Sequence, residues 1–470
     1  MKHLWVILLP QMRRTIKTPA KGPEKGNDVT GRILTVFKRP TLVALALTTA
    51  LAACGEQDII LTGERLDIRG GATDVAAFVN QARPISLPAA VTNADWTHRN
   101  GGPTHMVTHP ALGASLAPLF SNNIGAGDSR RLRITADPIV TPSAVYTMDA
   151  QSQVLATSTA GETLWARSVI PPTDNPRDAS GGGLAVAGPV LLATTGFGEV
   201  VALDAASGAE IWRQDLDAPG TSAPTIVGDL AYVVARDGRA WAIELASGRI
   251  RWTQSGTPPV SNFSGGAGAA VSGDFAIFPF PTGEVFAAFP EGGLRRWSTV
   301  VTGQRPGRAA SNISDIAGDP VIDGDRVYVG NFSGRVVALE IANGDRIWTA
   351  TEGAVGPVWP AGGSVFLVND LGELLRLDAG DGTAIWRVAL PSFEQTRERR
   401  QKTRFAHYGP ILAGGRLIVV SSDGLIREFD PTSGALVGTI EIPGGAASNP
   451  VVANGTLYVV TKRGQLLAFR

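Results

Sequence analysis

The chain has 470 residues, of which 44% are hydrophobic and 18% are charged, with 42 basic and 42 acidic residues. This charged fraction lies below the roughly 25% of an average soluble protein, which excludes a long disordered or coiled-coil chain. Cys54 is the single cysteine, so an internal disulfide and a multi-cysteine metal site are excluded as well. The 56 glycines and 31 prolines favour many short strands joined by tight turns.

The balance of charge differs between the N-terminus and the rest of the chain. Residues 1–53 hold nine basic and two acidic residues, which leaves 33 basic and 40 acidic residues from position 54 onward. The remainder therefore carries a net charge of −7. Because nucleic-acid binding requires a basic surface, we expect no nucleic-acid partner.

An apolar run of 13 residues, 41–53, follows two basic residues and ends in small residues directly before Cys54. The run is too short to span a bilayer, which takes about 20 residues, but it has the size of a secretory signal core. The segment resembles a bacterial lipoprotein signal, which implies diacylation of Cys54 and, because Gly55 is not aspartate, delivery to the outer membrane. We predict an extension and signal peptide at 1–53 and a lipidated tether at 54–90. An ordinary signal peptide is the alternative.

The rest of the chain is a repeat. The clearest copy runs from Gly198 to Trp212. Further copies run from Gly238 to Trp252, Gly283 to Trp297, Gly334 to Trp348, Gly372 to Trp386 and Gly424 to Gly438, and a degenerate one ends at Trp165. Their end points lie 38 to 52 residues apart, which is typical of propeller blades of about 40 to 50 residues.

Each unit contains four short β-branched runs separated by Gly, Asp or Asn turns, and half a unit closes the chain at residues 464–470. A half blade would expose a strand edge, so the N-terminal part must supply the missing strand. We assign that strand to residues 91–96, which end in Asp95 and Trp96. The prediction is an all-β, eight-bladed propeller of four-stranded antiparallel blades over residues 91–470, closed by pairing the N- and C-terminal strands.

Two residue types recur at fixed places in the units and are predicted to be structural. The acids are Asp204, Glu244, Glu340, Asp378 and Asp430, each followed four positions later by glycine. Asp in a tight turn accepts backbone hydrogen bonds, and Gly takes the positive φ that the turn requires. The tryptophans are Trp165, Trp212, Trp252, Trp297, Trp348 and Trp386. A large ring at one place in each blade fills the wedge between neighbouring sheets.

The histidines His98, His105 and His109 are the main candidates for metal ligands. A His-x3-His pair binds metal well on a helix, whereas the surrounding glycines and prolines predict a loop. We therefore predict no metal site. The basic segment 397–404 is interpreted as a solvated loop between blades, with a partner contact as the alternative.

The unit Gly-x-Val-x-Ala-Leu-Asp-x-x-x-Gly-x-x-x-Trp, as in Gly198 to Trp212, resembles the repeat of pyrroloquinoline-quinone (PQQ) type propellers. Together with the lipoprotein signal and the blade number, it resembles the BamB family. The resemblance implies a non-enzymatic scaffold without a cofactor, anchored by lipid in the outer membrane and facing the periplasm. It also implies that this scaffold binds the POTRA domains of BamA, other subunits of the assembly machine and unfolded outer-membrane proteins.

The same resemblance implies partner contacts on two neighbouring loops between blades. One loop contains Asp315, but Ala317 stands where the family has a second aspartate. The other contains Val260, Asn262 and Phe263 and lacks the arginine of the family.

Two alternatives from other classes remain open. A PQQ-dependent dehydrogenase would share the fold, but it would need a calcium-bound quinone, a catalytic carboxylate and usually a vicinal disulfide, which a single cysteine excludes. A periplasmic propeller that binds a sugar or peptidoglycan ligand is the second alternative.

Overall fold

The computed structural model describes residues 78–220, 222–259, 265–303, 305, 313 and 315–470, which belong to the unit Ala77–Arg470. Strands dominate these residues, and their one helical element is a 3₁₀ turn at Glu398–Arg400. Among the described residues, no helix has the length and apolarity needed to cross a bilayer. Cys54, Val260, Asn262 and Phe263 lie outside the described residues.

Eight four-stranded antiparallel sheets form the blades of the propeller, as predicted. Blades 1 to 4 are built in chain order from β2 (Ile139–Val140), β3 (Ala144–Met148), β4 (Gln153–Ser158) and β5 (Thr163–Ser168); β6 (Leu184–Ala187), β7 (Val190–Thr194), β8 (Glu199–Asp204) and β9 (Glu210–Asp215); β10 (Thr225–Val227), β11 (Leu230–Val234), β12 (Arg239–Glu244) and β13 (Ile250–Ser255); and β14 (Ala270–Ser272), β15 (Phe275–Pro279), β16 (Glu284–Ala288) and β17 (Arg295–Val300).

Blades 5 to 8 repeat this order. Their strands are β18 (Val321–Asp323), β19 (Arg326–Asn331), β20 (Arg335–Glu340) and β21 (Arg346–Ala350); β22 (Trp359–Ala361), β23 (Ser364–Val368), β24 (Glu373–Asp378) and β25 (Ala384–Ala389); β26 (His407–Ala413), β27 (Arg416–Ser421), β28 (Leu425–Phe429) and β29 (Leu436–Glu441); and β30 (Val451–Ala453), β31 (Thr456–Val460) and β32 (Gln465–Phe469) with β1 (Pro118–Asn123).

The sequence of each strand reflects its place in the blade. In β20 the apolar run Val336–Leu339 is fully buried, because an inner strand is covered on both faces by the neighbouring sheets. In β21, the fourth strand of the same blade, exposed and buried residues alternate over most of its length, because an outermost strand has one solvated face. The hydrophobic core therefore lies between the blades.

The strand that closes the ring is β1, which pairs antiparallel with β32, with Phe120 opposite Ala468. The prediction that an N-terminal strand completes the last blade is confirmed, but its assignment to residues 91–96 is wrong. Trp96 instead forms an isolated bridge with Val140 in blade 1. The Asp95-Trp96 pair resembles the end of a repeat unit, whereas the true closing strand has Phe120 where six other blades have tryptophan. The closing strand therefore carried no recognisable signature.

Each recurring tryptophan joins its blade to the next one. The indole Nε1 of Trp165 donates to the main-chain carbonyl of Ala205 at 3.1 Å, and the ring packs on the turn that contains Gly208. The same hydrogen bond, at 2.8 to 3.2 Å, is made by Trp212, Trp252, Trp297, Trp348 and Trp386. A Cβ on any of the six facing glycines would lie 2.5 to 2.9 Å from the nearest ring atom. At Gly434 it would also lie near a neighbouring side chain. The structural assignment of the tryptophans and glycines is therefore explained by contact between blades.

The two joints without tryptophan differ from each other. Phe120 of blade 8 packs on Gly161 of blade 1, where a Cβ would lie 2.7 Å from the ring. In blade 7 the position of the tryptophan is Gly438, opposite Glu428. Blade 8 receives its fourth strand from β1 and so has no turn between its third and fourth strands. The ring is absent at the one joint that has no turn to receive it.

The recurring acids close turns, as predicted. Asp204 Oδ1 accepts from the backbone N–H of Ser207 at 2.8 Å and from its hydroxyl at 2.6 Å. Asp430 Oδ1 likewise accepts from the backbone N–H groups of Thr432 and Ser433. These carboxylates act within single turns, on the outside of the ring.

Candidate functional site

The antiparallel blades give the propeller two different faces. One face, here called the hairpin face, carries the turns between first and second and between third and fourth strands. The other, here called the loop face, carries the connections between blades and the turns between second and third strands. Loops on a rigid frame are where propellers and similar folds place their binding residues.

Residues 91–112, here called the plug, lie across the hairpin face and contact the inner part of every blade. In blades 1 to 5, main-chain or histidine atoms of the plug bond to the first strands. These contacts involve Val140, Val186, Ile226, Val271 and Ile322. Trp96 stacks on Trp359 of blade 6, with ring centroids 6.3 Å apart. Pro110 and Asn93 accept hydrogen bonds from Gly414 of blade 7 and Asn454 of blade 8.

The three clustered histidines hold the plug at separate places. The Nε2 of His98 accepts from the backbone N–H of Ile226 at 3.0 Å, so its Nδ1 carries the proton and donates to the hydroxyl of Thr97 at 2.8 Å. His105 donates from Nδ1 to the carbonyl of Pro320 at 2.9 Å. His109 donates from Nδ1 to the carbonyl of Pro88 at 2.7 Å. The histidines therefore do not share one ligand site.

Burial keeps two of these histidines neutral. Burial, and then the neighbouring His105, lowers the pKa of His98 to about 3. Burial also lowers the pKa of His105, although Asp319 opposes the shift. Both imidazoles are consequently uncharged near neutral pH, which suits a buried segment that must satisfy backbone groups without carrying charge.

A cavity of about 340 Å³ lies at the opposite end of the channel, at the loop face. Its walls are the connections between blades and the turns between second and third strands, with apolar side chains such as Phe280, Ile316 and Val355. Arg99 of the plug reaches the cavity from below. The plug thus gives this end of the channel a floor.

Arg99 is held by two buried carboxylates. Its Nε lies 3.2 Å from Asp137 and 3.2 Å from Asp319. Asn449 binds Asp137 through its backbone N–H at 2.8 Å and its side-chain amide at 2.9 Å. Burial lowers the pKa of Arg99, but Asp319 and Asp137 outweigh it and raise that pKa above its ordinary value. Burial raises the pKa of Asp137, against the opposing effect of Arg99.

The sequence did not single out this cluster, although the repeat contained a signal for it. Asp137, Asp319 and Asn449 each precede the proline that opens a unit, at Pro138, Pro320 and Pro450. Since the first strands surround the axis, the residue before each of these prolines faces the channel. Arg99 belongs to no repeat and could not be found in this way.

Asp315 lies in the connection between blades 4 and 5 and also lines the cavity. Its exposed fraction is 5%, and its carbonyl accepts from the backbone N–H of Phe332. Its assignment as a partner contact stays a prediction, as do those of Cys54, Val260, Asn262 and Phe263. The connection that contains the last three residues leaves β13 and enters β14 at the same face.

The boundary of the tether at residue 90 also stays a prediction. Residues 78–90, which the prediction assigns to the tether, lie against blade 6. The backbone N–H of Gln81 donates to Ile385 at 3.0 Å, and Arg376 donates to the carbonyls of Arg83 and Pro84.

The side chains around the cavity do not suit a quinone cofactor of the PQQ type, which carries three carboxylates. Of the described residues, Arg99 and Arg133 are the arginines at the cavity. Arg99 is paired with Asp137 and Asp319, and Arg133 lies 3.5 Å from Asp128. The described residues also hold no group of three side chains suited to a metal ion. We therefore derive no chemistry through a quinone cofactor.

Comparison with known proteins agrees with this architecture. A family model described as "Outer membrane protein assembly factor BamB" matches residues 150–388 and 371–470. A protein of that name from Shewanella oneidensis is 24% identical over 270 residues, which are 57% of this chain and 66% of the relative. One from Xanthomonas campestris is 27% identical over 358 residues, 75% of this chain and 85% of the relative.

Solved structures share the fold. The crystal structure of BamB from Moraxella catarrhalis aligns with a TM-score of 0.63 at 18% identity and covers 76% of this chain and all of that one. A europium-containing methanol dehydrogenase aligns with a TM-score of 0.60 at 15% identity, over 78% of this chain and 89% of that one. At such identities the structures show the propeller alone, whereas the family model matches well over half of the chain. The chain belongs to the family described as outer membrane protein assembly factor BamB.

Proposed function

We propose that this chain is a non-enzymatic scaffold lipoprotein of the outer-membrane β-barrel assembly machinery. It is anchored in the outer membrane through Cys54, faces the periplasm, binds the POTRA domains of BamA and aids insertion of barrel proteins. The observation that carries the proposal is the match of the BamB family model to residues 150–388 and 371–470.

The described geometry supports docking rather than catalysis. Arg99 pairs with both Asp137 and Asp319, so the three side chains form a structural ion-pair cluster rather than a free acid and base. The eight blades, joined by the tryptophans and floored by the plug, form a rigid frame on which several loops can meet a partner together. A rigid, preformed surface keeps the entropic cost of association low.

We assign the partner surface to the loop face of blades 3 to 5. The described residues 265–267 and 315–317 of two connections line the same cavity there, and the second connection contains Asp315. The structural resemblance to a methanol dehydrogenase extends to the fold alone. The described arginines at the cavity, Arg99 and Arg133, are already paired with carboxylates, so no dehydrogenase activity is proposed.

The test is recovery of partners from membranes. The lipidated protein is purified from solubilised outer membranes, and its partners are identified by mass spectrometry. We expect BamA and other subunits of the machinery, with weaker recovery after Asp315→Arg and unchanged recovery after Asp274→Arg on the hairpin face. Because Asp315 is buried, thermal unfolding of the Asp315→Arg and Asp315→Asn variants must show a folded protein. Recovery without any assembly subunit would refute the proposal.

A further inference from the structure

The loop face carries one strongly basic region, here called the basic sector. It consists of residues 124–138, 390–406 and 461–464, which together hold ten basic and four acidic residues. The rest of the chain from position 54 onward holds 23 basic and 36 acidic residues. Lys402 and Lys462, the two lysines that follow position 53, both lie in this sector.

The three segments of the basic sector are neighbours through the turns of blades 7 and 8. The backbone N–H of Ser422 donates to Ala406 at 2.9 Å, and that of Lys462 donates to Gly445 at 2.9 Å. Asp128 donates from its backbone N–H to the carbonyl of Lys462 at 2.7 Å. Segments that are far apart in sequence thus form one surface across blades 6, 7, 8 and 1.

Most of the basic side chains on this surface have no acidic partner. Arg397, Arg399, Arg400 and Lys402 are exposed, and no ion pair joins them to any described residue. Other arginines of the propeller are paired, as Arg305 is with Asp370 at 2.8 Å and Arg416 with Glu428 at 2.7 Å. A group of exposed, unpaired charges of one sign attracts a surface of the opposite charge.

The path of the chain indicates which anionic surface that is. Phe78 lies under the guanidinium of Arg387, 4.5 Å from its centre, and Asn80 donates to the Arg387 carbonyl at 2.9 Å. Since Gln81 bonds to Ile385, the chain runs from Phe78 away from the loop face. Phe78 therefore lies near the loop-face end of β25, whose last residue Ala389 directly precedes residues 390–406. The 23 residues between Cys54 and Phe78 reach at most about 80 Å when extended.

We propose that the basic sector contacts the anionic phospholipid headgroups of the membrane that holds the lipid anchor. This inference rests on the proposed anchoring at Cys54. A short tether gives the sector a high effective concentration at the membrane surface, and each lysine or arginine near an anionic membrane strengthens binding about fivefold. The contact would fix the orientation of the propeller and leave blades 3 to 5, on the other side of the cavity, free for a protein partner.

The test measures binding to vesicles without any protein partner. The mature chain from residue 54 carries Cys54→Ser, so that it has no acyl group, and is sedimented with vesicles of phosphatidylcholine alone or with about one third phosphatidylglycerol. We expect binding to the anionic vesicles only, and loss of binding as NaCl rises from about 0.05 to 0.5 M.

Charge reversal locates the contact. Arg399→Glu with Lys402→Glu should weaken binding at least about tenfold. The matched control is Arg177→Glu with Arg249→Glu, two exposed arginines outside the sector, and it should weaken binding less than about threefold.

Equal loss in both variants, or equal binding to neutral vesicles, would overturn the proposal. Loss of a protein partner with unchanged vesicle binding would identify an acidic protein surface instead. Failure to recover assembly subunits from membranes would leave the vesicle result unaffected, so the two proposals fail separately.

Discussion

The propeller is stabilised in two different ways, by the joints between its blades and by the plug. Six of the joints repeat one arrangement of a tryptophan ring, a glycine and a carbonyl. The plug has no repeat, and it contacts the eight blades with different groups, among them the imidazole of His98 and the indole of Trp96. Repeated residues therefore belong to the frame, whereas residues that occur once mark where this propeller differs from a generic one.

Removing a joint should have the largest effect on stability. Trp348→Ala deletes a buried ring and its hydrogen bond to Ala379, so we expect the free energy of unfolding to fall by about 3 to 5 kcal/mol. Ile347→Ala, at the neighbouring exposed position, should cost less than about 1 kcal/mol. Denaturant unfolding of both variants makes the comparison. Equal effects would show that the ring is not what holds blades 5 and 6 together.

The charged cluster of the plug should come next. Arg99→Met leaves Asp137 and Asp319 without their cation, and we expect a loss of about 3 kcal/mol, since the partial exposure of Arg99 reduces the full cost of breaking a buried ion pair. Adding Asp137→Asn and Asp319→Asn should restore part of the loss, because no buried charge then remains unpaired. A triple variant less stable than Arg99→Met would mean that the carboxylates have another role.

Acid should weaken the plug through His98. Its pKa falls from 6.5 to about 3 on folding, so the unfolded chain binds more protons between these values and the neutral imidazole favours the folded state above pH 6.5. This contribution is lost as the pH falls from 6.5 towards 3. His98→Gln keeps an acceptor for Ile226 but does not titrate. The free energy of unfolding of both proteins is measured by chemical denaturation from pH 7 to pH 4. Wild type should lose stability relative to His98→Gln as the pH falls. A constant difference would contradict the account.

The smallest effect is expected in a single turn of the frame. Asp430→Ala removes the acceptor for Thr432 and Ser433, and we expect a loss of about 1 kcal/mol. Phe289 occupies the same place in blade 4, which shows that one blade folds without the acid. A loss above about 3 kcal/mol would place Asp430 in a wider network than one turn.

The repeat made most of the fold predictable, and the single-copy parts remained hidden for physical reasons. The period located the blades, and the fixed places of Trp212 and Asp204 were enough to assign packing and turn roles. The closing strand Pro118–Asn123 escaped because Phe120 replaces the tryptophan. The pairing of Arg99 with Asp319 joins residues 220 positions apart, and no local pattern encodes such a contact.

Function was predictable to the level of the family and no further. The blade motif and the segment before Cys54 indicated the family that the comparison later matched. The partner contacts were inferred from a resemblance in which Ala317 already departs from the family pattern, and Asp315 is buried at the cavity wall. Such contacts depend on which side chains reach the surface, which the repeat does not determine.

Photo-crosslinking in living cells tests whether the loop face is the docking face. A photoreactive residue is placed at Pro258, exposed on the loop face, or at Asp274, exposed on the hairpin face of the adjoining blade. Adducts are identified by mass spectrometry. The docking assignment predicts adducts with assembly-machine subunits from position 258 and none from position 274. Adducts from position 274 alone, or in equal amounts from both positions, would contradict it.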